Sequence, residues 1–126
     1  MPSLLIAPAA ERDIRSVLGW TDDHFGEHAR LRYEALLIQA VTDVASNPEL
    51  PGSNRRDEIG ANARTYHLTH SKDRVARRVG RVKKPRHFLL YRVRDDGRVE
   101  IGRVLHDSMD LVAHLSPEYR ADVEED

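Results

Sequence analysis

The alternation of apolar and polar residues predicts two helices near the start of the chain. Between residues 27 and 46, apolar side chains recur at a spacing of three and four, which is the period of one helix face. A weaker pattern of the same kind covers residues 9–24. Phe25-Gly26 separates the two segments, so we expect a helical hairpin whose apolar side covers one face of a sheet.

Shorter apolar runs predict strands. Residues 3–7 form one run that stops at Pro8, and residues 63–69 alternate around Tyr66 and Leu68. Two runs rich in β-branched and aromatic residues flank the turn signal Asp95-Asp96-Gly97 and predict an antiparallel hairpin. Residues 49–62 are polar and are predicted to form a loop, and residues 107–115 a short helix.

Two pairing registers compete in the predicted β-hairpin. A two-residue loop at Asp96-Gly97 would place arginines opposite Val99 and Ile101. A three-residue loop, with Gly97 in the left-handed conformation, groups like residues instead and is preferred. It pairs Val93 with Val99, Arg92 with Glu100, Tyr91 with Ile101, Leu90 with Gly102, Leu89 with Arg103 and Phe88 with Val104.

The order strand–helix–helix–strand–strand–strand–short helix predicts an α+β domain, in which an N-terminal strand and a helical hairpin pack on a small antiparallel sheet. The β-hairpin is apolar on both faces near Phe88 and Tyr91, so it is expected in the middle of the sheet and covered on both sides. The helices cover one face. The C-terminal segment or a partner is expected to cover the other.

Composition narrows the class of protein. A chain of 126 residues suits one domain with a modest core, and the absence of cysteine excludes disulfides and thiolate metal sites. No apolar run approaches the roughly 20 residues of a membrane helix, and the start lacks the features of a signal peptide, so a cytoplasmic location is expected. The net charge of −1 conceals a basic segment (residues 71–85) and an acidic tail (residues 116–126).

Several motifs together resemble a known family. The run RVLHDSMD at residues 103–110 follows a DDG turn and an RHFLLYRV strand. The first half carries PAAERDI at residues 8–14, then Phe25-Gly26, Arg32-Tyr33 and Asn47-Pro48. This combination resembles the ParE branch of the RelE/ParE superfamily, the toxins of type II toxin–antitoxin modules. The resemblance implies a RelE/ParE-like toxin domain over residues 1–115.

The resemblance to ParE implies a protein that binds DNA gyrase (GyrA) and traps it on cleaved DNA, without a catalytic centre or a cofactor. The basic segment would then contact DNA phosphates, directly or indirectly, or remain a solvated loop. Toxicity in the family is associated with the C-terminal segment. The candidate target-binding residues are therefore Arg86, His87, Arg103, His106, Met109 and Asp110.

The alternative is the ribosome-dependent messenger RNA cleavage of the RelE branch. That reaction needs a general base for the 2′-hydroxyl and converging cations for the phosphate. Those ribonucleases usually carry an aromatic residue near the end of the last strand or helix. This chain has acidic residues there, Asp107 and Asp110, which would repel phosphate. Residues that the reaction would draw on are Lys83, Lys84, Arg86, His87, Arg92, Arg103 and His106.

A ParE-like toxin also implies an antitoxin that resembles ParD. Such antitoxins bind DNA through a ribbon–helix–helix domain and wrap the toxin with a C-terminal tail, which gives a hetero-oligomer. An apolar groove between Phe88, Leu90, Val104 and the helical hairpin would suit an amphipathic helix, and a sheet edge can accept a strand. Trp20 and Tyr33 of the helical hairpin complete the antitoxin-binding candidates, although core packing is the simpler interpretation of Trp20.

Metal binding is the least favoured interpretation. His106, Asp110 and His114 recur every fourth residue, a spacing that can place three ligands on one helix face. A capped helix start explains the same residues, and His67 and His70 fit a strand edge. No metal site is therefore expected.

Overall fold

The computed structural model describes residues 3–109 of the 126-residue chain. Within that range, two long helices, α1 (Pro8–Phe25) and α2 (Glu27–Ser46), pack on one face of a five-stranded sheet, and a 3₁₀ helix (Leu68–Arg74) follows the third strand. The predicted α+β fold with a helical hairpin is confirmed. The strands are β1 (Leu4–Ile6), β2 (Ser53–Arg55), β3 (Ala63–His67), β4 (His87–Val93) and β5 (Val99–His106).

The helices begin and end at residues that favour those boundaries. Pro8 opens α1, where its missing N–H costs no hydrogen bond. Gly26 separates the helices with a φ of 91°, a conformation that is strained for other residues. Helix α2 has the predicted bounds, and α1 is one residue longer at each end. In the described part of the chain, no helix combines the length and apolar character needed to cross a membrane.

The strand order is β1-β5-β4-β3-β2, so the hairpin of β4 and β5 occupies the middle of the sheet as predicted. Strand β1 runs parallel to β5 and pairs with residues 99–101. The predicted antiparallel sheet is formed by β2 to β5, and β1 adds a parallel strand at its edge, so the sheet as a whole is mixed. No tight turn joins β1 to β5, so nothing in the local sequence fixed their relative direction.

Strand β2 is an edge strand that the sequence pattern did not reveal. Its residues Ser53-Asn54-Arg55 are polar and were assigned to a loop, but they pair antiparallel with β3. The Arg64 guanidinium donates a hydrogen bond of 2.7 Å to the Ser53 hydroxyl, which also contacts the Tyr91 hydroxyl. Tertiary hydrogen bonds therefore hold this strand in the absence of an apolar pattern.

The turn between β4 and β5 is the predicted three-residue loop. Gly97 has a φ of 85°, and the Arg94 N–H donates to the Arg98 carbonyl at 2.8 Å. Three predicted pairs are confirmed: Val93 with Val99, Arg92 with Glu100, and Tyr91 with Ile101.

Beyond Tyr91 the register of the hairpin shifts by one residue. Gly102 is the extra residue of a β-bulge, so the predicted partners of the next residues are wrong. The observed pairs are Leu90 with Arg103, Leu89 with Val104, and Phe88 with Leu105.

The two faces of the sheet are covered by different parts of the chain. The main core lies under the helices, where Leu36 and Val44 of α2 meet Leu89 and Ile101. The opposite face carries a smaller cluster. Ile59, from the connection between β2 and β3, covers this second cluster. Part of the face that the C-terminal segment or a partner was expected to cover is therefore covered by this connection. The members of the cluster are Ile59, Ala63, Leu90 and Leu105, with Phe88 partly buried against them.

A buried carboxylate fixes the 3₁₀ helix to α2. The Asp43 side chain is only 5 % exposed. It accepts hydrogen bonds from the Ser71 hydroxyl at 2.7 Å and from the Arg74 guanidinium at 3.0 Å. Gln39 donates to it at 2.9 Å, and the Ser71 hydroxyl also bonds to that of Tyr66. Because a buried charge is tolerated only when it is paired and hydrogen-bonded, this network anchors the start of the basic segment.

Candidate functional site

An open groove of about 1140 Å³ lies between the helical hairpin, the end of β5 and residues 80–84. We call it the α1 groove. Val17, Trp20 and Phe25 form an apolar side on α1, and Lys83 and Lys84 stand among the residues of the facing connection. The groove therefore combines apolar surface with positive charge.

The structure brings most of the candidate residues together in the α1 groove. Its lining includes the target-binding candidates Arg86, His87, Arg103, His106 and Met109. Asp110 lies outside the described residues. The groove also contains three antitoxin-binding candidates, so two surfaces that were predicted separately share one groove. Those three are Trp20, Tyr33 and Val104.

Phe88 and Leu90 lie on the other face of the sheet. The β-bulge at Gly102 turns them away from Val104, which packs in the main core, and they join the cluster capped by Ile59. The predicted groove of Phe88, Leu90 and Val104 is therefore wrong. Leu90 is fully buried, and Phe88 is half-buried. Whether either residue contributes to antitoxin binding stays a prediction.

An aromatic cluster forms the exposed end of α1. The Trp20 and His24 rings stack with centroids 4.2 Å apart, and Phe25 meets Trp20 edge-on at 5.7 Å. Trp20 is 55 % exposed and Phe25 is 69 % exposed, so the core-packing interpretation of Trp20 is wrong. Exposed aromatic clusters are typical of protein-binding sites. Phe25 was not among the predicted site residues, because Phe25-Gly26 was interpreted as a break between helices and as a family motif.

Tyr33 and His87 form a hydrogen-bonded pair at the polar end of the groove. The Tyr33 hydroxyl accepts a hydrogen bond from the Arg86 N–H at 3.2 Å and lies 2.6 Å from His87 Nδ1, with which it shares a second hydrogen bond. Burial raises the pKa of Tyr33 to about 12. Burial, assisted by the neighbouring His106, lowers the pKa of His87 to about 4. Both side chains are therefore neutral near pH 7.

Asp107 links the ends of three strands. It accepts hydrogen bonds from the Arg86 guanidinium at 3.0 Å and from His67 Nε2 at 3.1 Å. The Thr69 N–H donates to His67 Nδ1, which leaves the proton on Nε2. The bond to Arg86 lowers the pKa of Asp107 and raises the pKa of Arg86. From the sequence, Asp107 was interpreted as a charge that repels phosphate or as part of a capped helix start, and this pairing was not predicted.

Arg103 and Asp13 join β5 to α1. The Arg103 guanidinium donates to Asp13 at 2.7 Å, and the same carboxylate accepts the Val104 N–H at 2.9 Å. The hydrogen bond to Asp13 raises the pKa of Arg103. Asp13 thus satisfies a backbone donor of β5 just beyond the short strand β1, and Arg103 neutralises it.

The histidines that the structure describes do not assemble a metal centre. Within residues 3–109, no group of three or more histidine or acidic side chains is placed to hold a metal ion. His106 Nδ1 instead accepts the Ser108 N–H at 3.1 Å. The other two residues of the four-residue spacing, Asp110 and His114, lie outside the described range.

The structure is that of a small α+β domain with an open groove that combines exposed apolar and cationic side chains. A family model described as "ParE toxin of type II toxin-antitoxin system, parDE" matches residues 4–111. The chain therefore belongs to the ParE family of toxins of type II toxin–antitoxin systems, as its motifs predicted.

Two curated relatives agree with this family. Both are named Toxin ParE1 and come from Mycobacterium tuberculosis, strains CDC 1551 / Oshkosh and ATCC 25618 / H37Rv. Each is 27 % identical over 111 residues, which covers 88 % of this chain and 95 % of the relative.

The Tyr33–His87 pair is expected to make stability fall on both sides of neutral pH. His87 has a folded pKa of about 4 against an ordinary 6.5, so its contribution is present above pH 6.5 and is lost as the pH falls towards 4. Tyr33 has a folded pKa of about 12 against an ordinary 10, so its contribution is present below pH 10 and is lost as the pH rises towards 12. Urea unfolding at a series of pH values measures the free energy of unfolding, and so both the acid limb and the alkaline limb of its pH dependence.

Two substitutions separate these limbs. His87→Phe should flatten the acid limb, and Tyr33→Phe should flatten the alkaline limb. His28→Phe replaces an exposed histidine of α2 and is the matched control for the acid limb. An acid limb that flattens equally in His87→Phe and His28→Phe would contradict the assignment.

Proposed function

We propose that this protein is a gyrase-inhibiting toxin whose α1 groove binds an acidic amphipathic segment of a ParD-like antitoxin. The observation that carries the proposal is the pairing of an exposed apolar side, with Trp20, Phe25 and Met109, and a cationic side, with Lys83 and Lys84. A helix with one apolar face and one acidic face is complementary to both sides.

Strand β1 offers a second docking point for the same antitoxin. In the described part of the chain it lies at the end of the sheet. Ser3 and Ala7 bond to β5, at 3.0 Å to Val99 and 2.9 Å to Ile101. In a parallel ladder the alternate residues, here Leu4 and Ile6, direct their backbone groups to the free edge. An extended part of the antitoxin can add a strand there while its helical part occupies the groove.

Competition for the α1 groove accounts for neutralisation of the toxin. The target-binding candidates His106 and Met109 line the same groove as Trp20. An antitoxin that fills this groove therefore covers the surface that we assign to gyrase. Gyrase binding then needs no catalytic group on the toxin, only a complementary surface.

Messenger RNA cleavage has less support from the site. His67, His87 and His106 each have Nδ1 engaged in a hydrogen bond, and Arg86 is paired with Asp107. A ribonuclease needs an available base beside its cations. Within the described residues, Lys83 and Lys84 are free to meet a phosphate, but the Nδ1 atoms of the three histidines are already engaged. The ionised Asp107 among these groups opposes such a phosphate. We therefore favour inhibition by binding.

The test adds the purified protein to gyrase with relaxed and supercoiled DNA, and separately to a translation reaction. We expect loss of supercoiling and accumulation of cleaved DNA, with messenger RNA intact. His106→Ala and Met109→Ala should weaken the effect, whereas Ile38→Ala, on the exposed side of α2 away from the groove, should not. Cleaved messenger RNA together with unaffected gyrase would overturn the proposal in favour of the RelE-type activity.

A further inference from the structure

The basic segment carries cations that face solvent without acidic partners. The side chains of Arg77, Arg78, Lys83 and Lys84 are exposed, and none of them forms a hydrogen bond or salt bridge to a residue that the structure describes. The only acidic residue of the segment is Asp73. Four unpaired positive charges therefore lie within eight consecutive residues, 77–84.

Arginines on other parts of the described surface are arranged differently, because many of them are neutralised by a nearby carboxylate. This contrast, in a chain of net charge −1, indicates that positive potential is concentrated on the basic segment. The paired arginines include Arg30 with Asp22, Arg55 with Asp57, Arg56 with Glu58, Arg86 with Asp107, Arg94 with Glu100, and Arg98 with Asp96.

The unpaired cations stand on an anchored turn. Val75 is buried, and the Arg81 guanidinium donates to the carbonyls of Val75 and Asp73 at 2.9 and 2.6 Å. Gly80, with a φ of 92°, packs so closely on Arg32 that a Cβ atom would come within 2.6 Å of its side chain. The Gly80 N–H bonds back to the Arg77 carbonyl at 3.1 Å. The turn is therefore held in place before any ligand binds.

We propose that this segment binds the phosphodiester backbone of a nucleic acid, independently of sequence, through Arg77, Arg78, Lys83 and Lys84. Binding would release counterions from the nucleic acid and need not break an existing ion pair of these side chains. At the tip of the turn, around Arg77 and Arg78, Val79 is the large apolar side chain that is exposed, so an amphipathic helix finds little apolar surface there. Lys83 and Lys84 also line the α1 groove, so the antitoxin and a nucleic acid would compete for these two residues. The inference goes beyond antitoxin and gyrase binding and depends on neither.

The experiment measures binding of the full-length chain to labelled duplex DNA and to labelled single-stranded RNA by fluorescence anisotropy, over a series of salt concentrations. Four phosphate contacts predict a logarithmic salt slope of about −3.6 for the duplex, which lowers the affinity on the order of 100-fold between 50 and 200 mM salt. The variant Arg77→Gln/Arg78→Gln/Lys83→Gln/Lys84→Gln should lose most of this slope.

The matched control removes four exposed arginines elsewhere, as Arg12→Gln/Arg15→Gln/Arg55→Gln/Arg94→Gln, and so changes the net charge equally. It should keep the affinity and slope of the unmodified protein. Equal losses in both variants, or no binding at low salt, would overturn the proposal. Tighter binding of either nucleic acid supports it and identifies the source of the phosphates. Binding of poly-glutamate that depends on the four residues, without nucleic-acid binding, would overturn it in favour of an acidic protein partner.

Discussion

Replacement of Trp20 by alanine is expected to weaken binding of the ParD-like antitoxin by about 2 kcal/mol, or roughly 30-fold in Kd. Trp20 presents 55 % of its surface to the α1 groove and the surrounding solvent, and it supports Phe25 through an edge-on ring contact. Large aromatic side chains of this kind supply much of the binding energy at protein interfaces. Isothermal titration calorimetry with the purified antitoxin measures the change.

A control separates the groove from general surface hydrophobicity. Ile38→Ala removes an apolar side chain that is 62 % exposed on α2 but does not line the groove. We expect an unchanged Kd for this variant and little change in stability for either variant. A loss of affinity shared equally by Ile38→Ala and Trp20→Ala would refute the assignment of the groove to the antitoxin. An unchanged Kd for Trp20→Ala alone would do the same.

Replacement of Asp43 by alanine is expected to lower the free energy of unfolding by about 2–3 kcal/mol. The substitution removes the buried acceptor of Ser71, Arg74 and Gln39, so the Ser71 hydroxyl keeps only its bond to Tyr66. Because Arg74 is largely exposed, the loss is smaller than for a fully buried ion pair. Denaturant unfolding monitored by tryptophan fluorescence measures the effect.

Two further variants define the cause of that loss. Asp43→Asn keeps an acceptor for Ser71 and should recover part of the stability. Asp57→Ala removes an exposed carboxylate that pairs with Arg55, and it should cost less than about 1 kcal/mol. If Asp57→Ala lowers the free energy of unfolding as much as Asp43→Ala does, the buried network stabilises the fold no more than an exposed ion pair.

Local sequence patterns predicted the parts of the fold that depend on neighbouring residues. The period of residues 27–46 defined α2 to the residue, and Gly97 identified the turn between β4 and β5. Features that depend on contacts between residues distant in sequence were not predicted. The polar strand β2 is held by contacts with Arg64 and Tyr91 that no local pattern reveals, and β1 is too short to indicate its direction.

The candidate site could likewise be predicted only where local sequence or family motifs define it. Charge and family resemblance selected Arg86, His106 and Met109, which the structure brings into one groove. The bulge at Gly102 reversed the facing of Phe88 relative to Val104, because a shift of one residue moves a side chain to the other face of a strand. The matching of apolar and charged residues across the two strands could not locate that bulge. The hydrogen bonds of Asp107 were not predicted, since its partners His67 and Arg86 are distant in sequence.

The parallel pairing of β1 with β5 has a consequence for folding of the toxin. Residues 4–6 pair with residues 99–101, which are far away along the chain. Closure of so long a loop makes this a late event in folding. The helices can form early from local contacts, whereas the sheet, and the wall of the groove that β5 supplies, are completed only when these distant segments meet. The groove that we assign to the antitoxin is therefore incomplete in a partly folded toxin, so antitoxin binding should select the fully folded chain.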